Sequence, residues 1–237
     1  MGMNLVDLHD AELKRRTFFV WDDFVNYTSG GLWTSLAADT TATVTVSDGA
    51  KGVLAIYTDG TDNNEAAVKT TKEVFLIAAN KPIIGEAKLQ YTEANTDDAN
   101  IAFGFADAIG ANLLVDNGAG PKTSFSGALI YKVDGGTVWK CVSSLSTTQT
   151  ISTSATTAGG SAYQTLRIEI RPVTSTIAEV SFFVDGVQLK DSTTNKPIKH
   201  SLTYTSATEM QVGAYAKAGG ANAETLNVDY IYAAQLR

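Results

Sequence analysis

Apolar residues recur at every second position through most of this chain. Leu166, Ile168 and Ile170 alternate with Arg167, Glu169 and Arg171, and Ala178, Val180, Phe182 and Val184 alternate with Glu179, Ser181 and Phe183. Met210, Val212, Ala214 and Ala216 repeat the pattern, as do Leu226, Val228, Tyr230 and Tyr232. Earlier segments share it: Val44 and Val46; Ala87, Leu89 and Tyr91; Ile101, Phe103 and Phe105. A period of two gathers alternate side chains on one face of a strand, so these runs predict sheets packed on one side. Asp48-Gly49, Asp59-Gly60, Asp134-Gly135 and Asp185-Gly186 lie between or beside them. Asp-Gly suits two-residue hairpins because both central positions accept a positive φ. Many short strands with regular turn chemistry predict a sandwich or barrel. The Ser/Thr-rich stretch 143–161 keeps Leu145 and Ile151, many β-favouring threonines and no proline, and is expected to be an exposed polar strand pair rather than a linker.

Only the first residues break the pattern. Asp7 to Arg16 reads as a short helix, with acidic residues at its start and basic ones at its end, as the helix dipole favours. Its apolar stripe is partial, and a helix this short needs a surface to dock on. Residues 1–16 are therefore expected to form an arm that contacts another subunit or a shell protein through Leu5, Leu8, Leu13, Lys14, Arg15 and Arg16. Residues 17–237 are expected to form one β-sandwich domain.

Composition narrows the function classes. A chain of 237 residues with 44% hydrophobic content is long enough to bury its own core. The lone cysteine, Cys141, has no partner for an intramolecular disulfide and is expected to be a small buried hydrophobe. The formal net charge is -7 with no long basic run, which argues against nucleic acid and anionic membranes as partners. No segment approaches the roughly 18 apolar residues of a membrane span. The start of the chain lacks a basic stretch followed by an apolar one, so no signal peptide and a cytoplasmic origin are expected.

The last third of the chain carries a resemblance. Tyr163 to Ile170, then Val180-Ser181-Phe182-Phe183-Val184-Asp185-Gly186, then Val228-Asp229-Tyr230 resemble the strand, "VDG" hairpin and closing "VDY" strand of the concanavalin-like lectin and glucanase superfamily. Trp21-Asp22-Asp23-Phe24 and Gly31-Leu32-Trp33 look like the opening of such sandwiches, in which the first and last strands pair. The resemblance implies an all-β jelly-roll sandwich of two antiparallel sheets, here with a short N-terminal arm. The stretches Glu93 to Gly104 and Gly127 to Gly136 are also similar to tailed-phage and marine viral structural proteins, over about residues 17–237. That likeness implies a virion protein assembled in a host cytoplasm: a decoration or minor capsid component that binds the major capsid protein and self-associates, a trimer being the analogy. The alternative is a glycan-binding, lectin-like module.

Candidate chemistry is sparse. Glucanases of this superfamily place carboxylates in an E-x-D-x-x-E or E-x-D-x-E spacing, so that two project into one cleft. Here Lys88 and Gln90 follow Glu86, Arg171 follows Glu169, and Ile231 follows Asp229. On that ground the expectation is no catalytic residue and no enzyme. His9, His200 and Cys141 are too scattered for a zinc set, and no cofactor is expected. Two oxygen-rich stretches remain, one with Asp59, Asp62, Asn63 and Asn64, the other with Asp97 and Asp98. Each is a candidate glycan or calcium loop, beside the plainer reading of a solvated turn. Trp21, Trp33 and Trp139 are expected in the core.

Overall fold

The computed structural model describes residues 15–37, 41–47, 52–205 and 208–237. The described residues form strands throughout: β1 (Thr17–Asp22), β2 (Trp33–Ala37), β3 (Thr43–Ser47), β4 (Val53–Tyr57), β5 (Glu65–Thr70), β6 (Phe75–Leu76), β7 (Ile83–Thr92), β8 (Asn100–Ala106), β9 (Leu114–Val115) and β10 (Gly120–Pro121). Then come β11 (Gly127–Lys132), β12 (Val138–Leu145), β13 (Thr148–Thr157), β14 (Gln164–Pro172), β15 (Ile177–Val184), β16 (Val187–Gln188), β17 (Lys199–Thr203), β18 (Glu209–Lys217) and β19 (Thr225–Leu236). Sheet I runs β16-β15-β14-β7-β19-β4-β3, with β1 also on β19 and β17 also on β15. Sheet II runs β13-β12-β11-β8-β18-β5-β2, with β6 also on β18. Every pairing is antiparallel, and β1 lies against β19 from Thr17 opposite Leu236 to Asp22 opposite Ile231. The first and last strands thus pair as the superfamily resemblance implies.

The core fills the space between the sheets. Ala87, Leu89, Leu166, Ile168, Ile170 and Phe182 of sheet I meet Phe103, Phe105, Ile130, Trp139 and Cys141 of sheet II. In β7 and β14 burial follows the sequence alternation, because one face meets the core and the other meets solvent. In β8 and β11 every residue is buried, because residues 107–126 lie over the outer face of sheet II. The stretch 143–161 holds the end of β12, the turn and all of β13, which pair as a hairpin. Asp185 and Gly186, both at positive φ, turn β15 into β16 as expected of an Asp-Gly pair. Asp59-Gly60 makes no hairpin: it lies on the crossing from β4 in sheet I to β5 in sheet II.

Of the expected arm, Leu5, Leu8, Leu13 and Lys14 lie outside the described residues, as does Asp48-Gly49. Arg15 and Arg16 are exposed, and the Arg16 carbonyl accepts the Arg237 N–H at 2.7 Å.

Candidate functional site

The two oxygen-rich loops meet at one end of the sandwich. Residues 58–64 link β4 to β5, residues 93–99 link β7 to β8, and both adjoin the links 133–137 and 218–224. The Asp59 carboxylate is buried and accepts hydrogen bonds from the Thr61 N–H at 2.8 Å, from Asn64 Nδ2 at 3.0 Å and from the Thr41 hydroxyl. Burial pushes this carboxyl up, but the hydrogen bonds outweigh it and hold it below the usual range. Asn63 Oδ1 accepts the Asn117 N–H at 3.4 Å, and the Asn64 carbonyl accepts the Ala218 N–H at 2.9 Å. In the second loop a buried cation stands among the oxygens: Lys132 Nζ donates to Glu93 Oε1 at 2.7 Å and to the Asp97 and Ala99 carbonyls at 2.9 Å. Asp98 Oδ2 lies 3.5 Å from Asn222 Nδ2. A Cβ on Gly219 would come within 2.0 Å of the Asp98 carbonyl and 2.7 Å of Asp134 Cβ, which shows how tightly these links are joined.

Asp134 is pushed up first by burial and then by Asp98, with Asp62 adding a smaller push. Glu224 is fully buried, and neither carboxyl oxygen has a hydrogen-bond partner. Burial first, then Glu93 and Asp98, push its carboxyl up to about 7. Among the described residues, no three His, Cys, Asp or Glu side chains group as a ready metal set.

The outer face of sheet II is closed. Ile109, Leu113, Leu114 and Phe125 pack onto Ala102, Leu129, Tyr131, Val142 and Tyr215. Polar pins hold this strap down. Glu65 accepts the Asn112 N–H at 2.9 and 3.0 Å and the Tyr215 hydroxyl. Gln211 Oε1 accepts the Ile109 N–H at 3.0 Å. Lys217, at 0% exposure, donates to Asn112 Oδ1 at 2.6 Å and the Leu114 carbonyl at 3.2 Å, and pairs with Asp116.

Among the described residues, no strap covers the outer face of sheet I. Trp21 is 52% exposed and Phe19 is 50% exposed. The Trp21 ring stacks on Tyr230, centroids 5.0 Å apart and planes at 20°, and is flanked by Tyr232 at 6.0 Å. Tyr230 thus backs one face of the indole, while about half of the residue meets solvent. A groove of about 330 Å³ runs beside this wall. Ile84, Tyr232, Ala234 and Leu236 line its apolar part, and Glu169 and Arg171 give it a polar side. The dip exists because Ala234 projects on the same strand face as the larger Tyr232 and Leu236. Around it, Lys88 Nζ sits 2.5 Å from Asp229 and 5.1 Å from the Tyr163 ring centre, Tyr230 donates to Glu86 at 2.7 Å, and the Arg167 guanidinium lies 4.2 Å over the Phe183 ring. Aromatic faces with hydrogen-bonding groups alongside suit a ligand with one apolar and one hydroxylated aspect.

Trp21 corrects the expectation of three core tryptophans. Trp33 and Trp139 are buried, donating their indole N–H to Asp22 and Gln164, each at 2.7 Å. Trp21 belongs to the outward set of β1 with Phe19, while Val20 between them is buried. The alternation Phe19-Val20-Trp21 carried that signal. His200 is also buried, its ring nitrogens 3.1 Å from the Ser143 hydroxyl and 3.0 Å from that of Ser152, and burial pushes it down to about 4.

No protein-family model matches this chain, and no curated protein matches it. Solved structures match over nearly the whole length. The endo-1,3-beta-glucanase from Streptomyces sioyaensis superposes with a TM-score of 0.62 at 16% identity, over 93% of this chain and 96% of the enzyme. The endo-beta-1,4-glucuronan lyase from the fungus Trichoderma reesei gives 0.55 at 13%, over 92% and 94%. The carbohydrate recognition domain of Emp47p gives 0.55 at 11%, over 92% and 96%. At these identities the likeness is one of fold, and it makes this chain a lectin/glucanase-like jelly-roll sandwich. It does not support the virion reading. It also corrects the expectation of a chain that is no enzyme: two of these structures are enzymes, so the fold carries catalysis, and one missing carboxylate spacing excludes only the mechanism that needs it.

Proposed function

We propose that this protein binds glycans, and that it does so on the open face of sheet I. The observation that carries the reading is the half-exposed Trp21, held upright by Tyr230 and by Tyr232, which itself lines the neighbouring groove with its apolar floor and polar rim. An indole fixed in place by its neighbours loses little rotamer freedom when a sugar ring stacks on it. The carbohydrate recognition domain among the structural neighbours supports the same class. The loops at 58–64 and 93–99 offer less, because Asp59 and Glu93 are already engaged by protein donors and Lys132 occupies the second loop.

A glycan array followed by affinity electrophoresis tests the reading. Trp21→Ala is expected to weaken binding about tenfold, equivalent to about 1.4 kcal/mol. Asn63→Ala and Asp98→Ala at the loop end are expected to bind as the unmodified chain does. Binding that survives Trp21→Ala and is lost in the loop variants would move the site to the loop end.

A further inference from the structure

From the register of sheet I we infer that the ligand is an uncharged linear polysaccharide, bound through an internal stretch that crosses the strands. This rests on the glycan-binding reading and specifies it. Trp21 of β1 is opposite Tyr232 of β19, Tyr232 opposite Glu86 of β7, Glu86 opposite Arg167 of β14, and Arg167 opposite Phe183 of β15. Side chains opposite one another in a ladder project from the same face, so five strands contribute one straight row perpendicular to their direction. Four spacings of about 4.8 Å make the row about 19 Å long, which exceeds a disaccharide. The row has aromatic rings at both ends, Trp21 and Phe183, and hydrogen-bonding groups between them. On one side Tyr230, Lys88 and Thr165 form a parallel row. On the other side Ala234, Ile84 and Glu169 form the next, which the groove follows. A site for a single terminal sugar would gather these groups around one point, whereas here they are laid out in lines.

The charges of the face decide the ligand's charge. Lys88 pairs with Asp229 at 2.5 Å, Arg167 with Glu169 at 3.2 Å, Arg171 with Glu179 at 3.0 Å and Lys199 with Glu179 at 3.2 Å. Each of these cations is met by a carboxylate of its own sheet. A polyuronate or sulfated chain would have to displace those carboxylates on a protein of net charge -7. A neutral chain leaves the pairs intact and uses the ring faces and polar edges between them.

Calorimetric titration of the full chain with neutral gluco-oligosaccharides of increasing length, beside alginate as the acidic polymer, tests this. Affinity is expected to rise about tenfold or more from disaccharide to pentasaccharide, since added contacts of about 1.4 kcal/mol suffice. It is expected to stay level from about 0.05 to 0.5 M NaCl, where screening would weaken a charge-driven complex. Trp21→Ala and Phe183→Ala, checked for an unchanged fold by thermal melting, are each expected to lower the length at which affinity stops rising. Equal affinity for short and long oligosaccharides overturns the inference, as does preference for alginate with strong salt dependence; both leave glycan binding standing. Absence of binding to every carbohydrate sinks the glycan reading itself. So does a sugar-blind chain that dimerises in light scattering and becomes monomeric on Trp21→Ala, since the face would then be a self-association surface.

Discussion

On the outer face of sheet II, Leu129, Tyr131 and Tyr215 lie under a strap of Ile109, Leu113, Leu114 and Phe125. On the outer face of sheet I, Trp21 and Phe19 stand half in solvent, and Tyr230 and Tyr232 steady Trp21. Both sheets are antiparallel, and an antiparallel sheet tolerates water on one face. What differs is the treatment of polar groups. Closing a face brings the backbone of a connecting segment against apolar strands, and each buried N–H and carbonyl then needs a partner. Glu65, Gln211 and Lys217 are those partners, and they belong to strands under the strap. Where the face stays open, the charges pair within the plane of the sheet and the aromatic residues brace one another. The closed face adds to the core; the open one keeps its side chains available.

The comparison breaks most visibly at the pins. Lys217→Ala removes the buried cation near Glu65 and Asp116, and deleting one partner of a buried ionic set costs about 3–5 kcal/mol. The urea midpoint should fall accordingly, and a protease should cut first within residues 107–126. An unchanged midpoint with an uncut strap would mean that apolar contact alone keeps the face shut.

Titration gives the next effect and reports on burial away from both faces. Glu224 keeps its proton up to about pH 7 when folded, against 4.5 when unfolded. The unfolded chain therefore ionises first, and stability is lost as pH rises through that window. His200 stays neutral down to about pH 4 when folded, against 6.5 when unfolded. Here the unfolded chain takes up the proton first, and stability is lost as pH falls from 6.5 toward 4. Each slope amounts to about 1–3 kcal/mol, and the two oppose each other where the windows overlap. Glu224→Gln should uncover stability that climbs with pH, and His200→Asn stability that declines with it, in urea titrations across roughly pH 4–8. Identical slopes in the two variants would show that neither group titrates as its burial requires. Glycan affinity should not change with Glu224→Gln.

Smaller effects belong to the open face. Trp21→Ala should change stability by about 1 kcal/mol or less, as expected of a half-exposed residue outside the core, while it weakens glycan binding. A stability loss as large as that of Lys217→Ala would make this face structural. Smallest of all is the exposed Arg171–Glu179 pair, whose coupling in a double-mutant cycle should be about 0.2–1 kcal/mol and fade in salt.

Much of this was legible in the chain. The alternation in β7, β14 and β15 revealed the strands and their buried faces, and Asp185-Gly186 was read correctly. In β19 a register shift after Val228 buries Ile231 and Ala233 and turns Tyr230 and Tyr232, expected on the face of Leu226 and Val228, outward. The strand pair expected over 143–161 is polar but buries Ser143, Ser144 and Ser154. The strap was not legible, because 107–126 is rich in Gly, Asp, Asn and Ser and its few large apolar residues have no period. Lys132 directly follows the apolar run Ala128 to Tyr131, and only the fold brings Glu93 to it. Glu224 sits in a polar stretch, Ala221 to Thr225, with nothing local to mark it as buried. The open face was half legible: the outward set of each strand could be read, but register across five strands is a product of long-range pairing, so the row from Trp21 to Phe183 could not be.

The pairing of β1 with β19 also has a mechanical side. Thr17 faces Leu236, so both ends of this ladder emerge at one corner of sheet I. A pull applied through the two termini would load the hydrogen-bonded pairs one after another, as a zipper opens, instead of shearing them all together. Strand β1 would peel first, taking Phe19 and Trp21 with it while the strap and core stayed in place. Tension along a chain tethered at both ends would thus strip the aromatic side chains beside the groove at forces the sandwich itself survives.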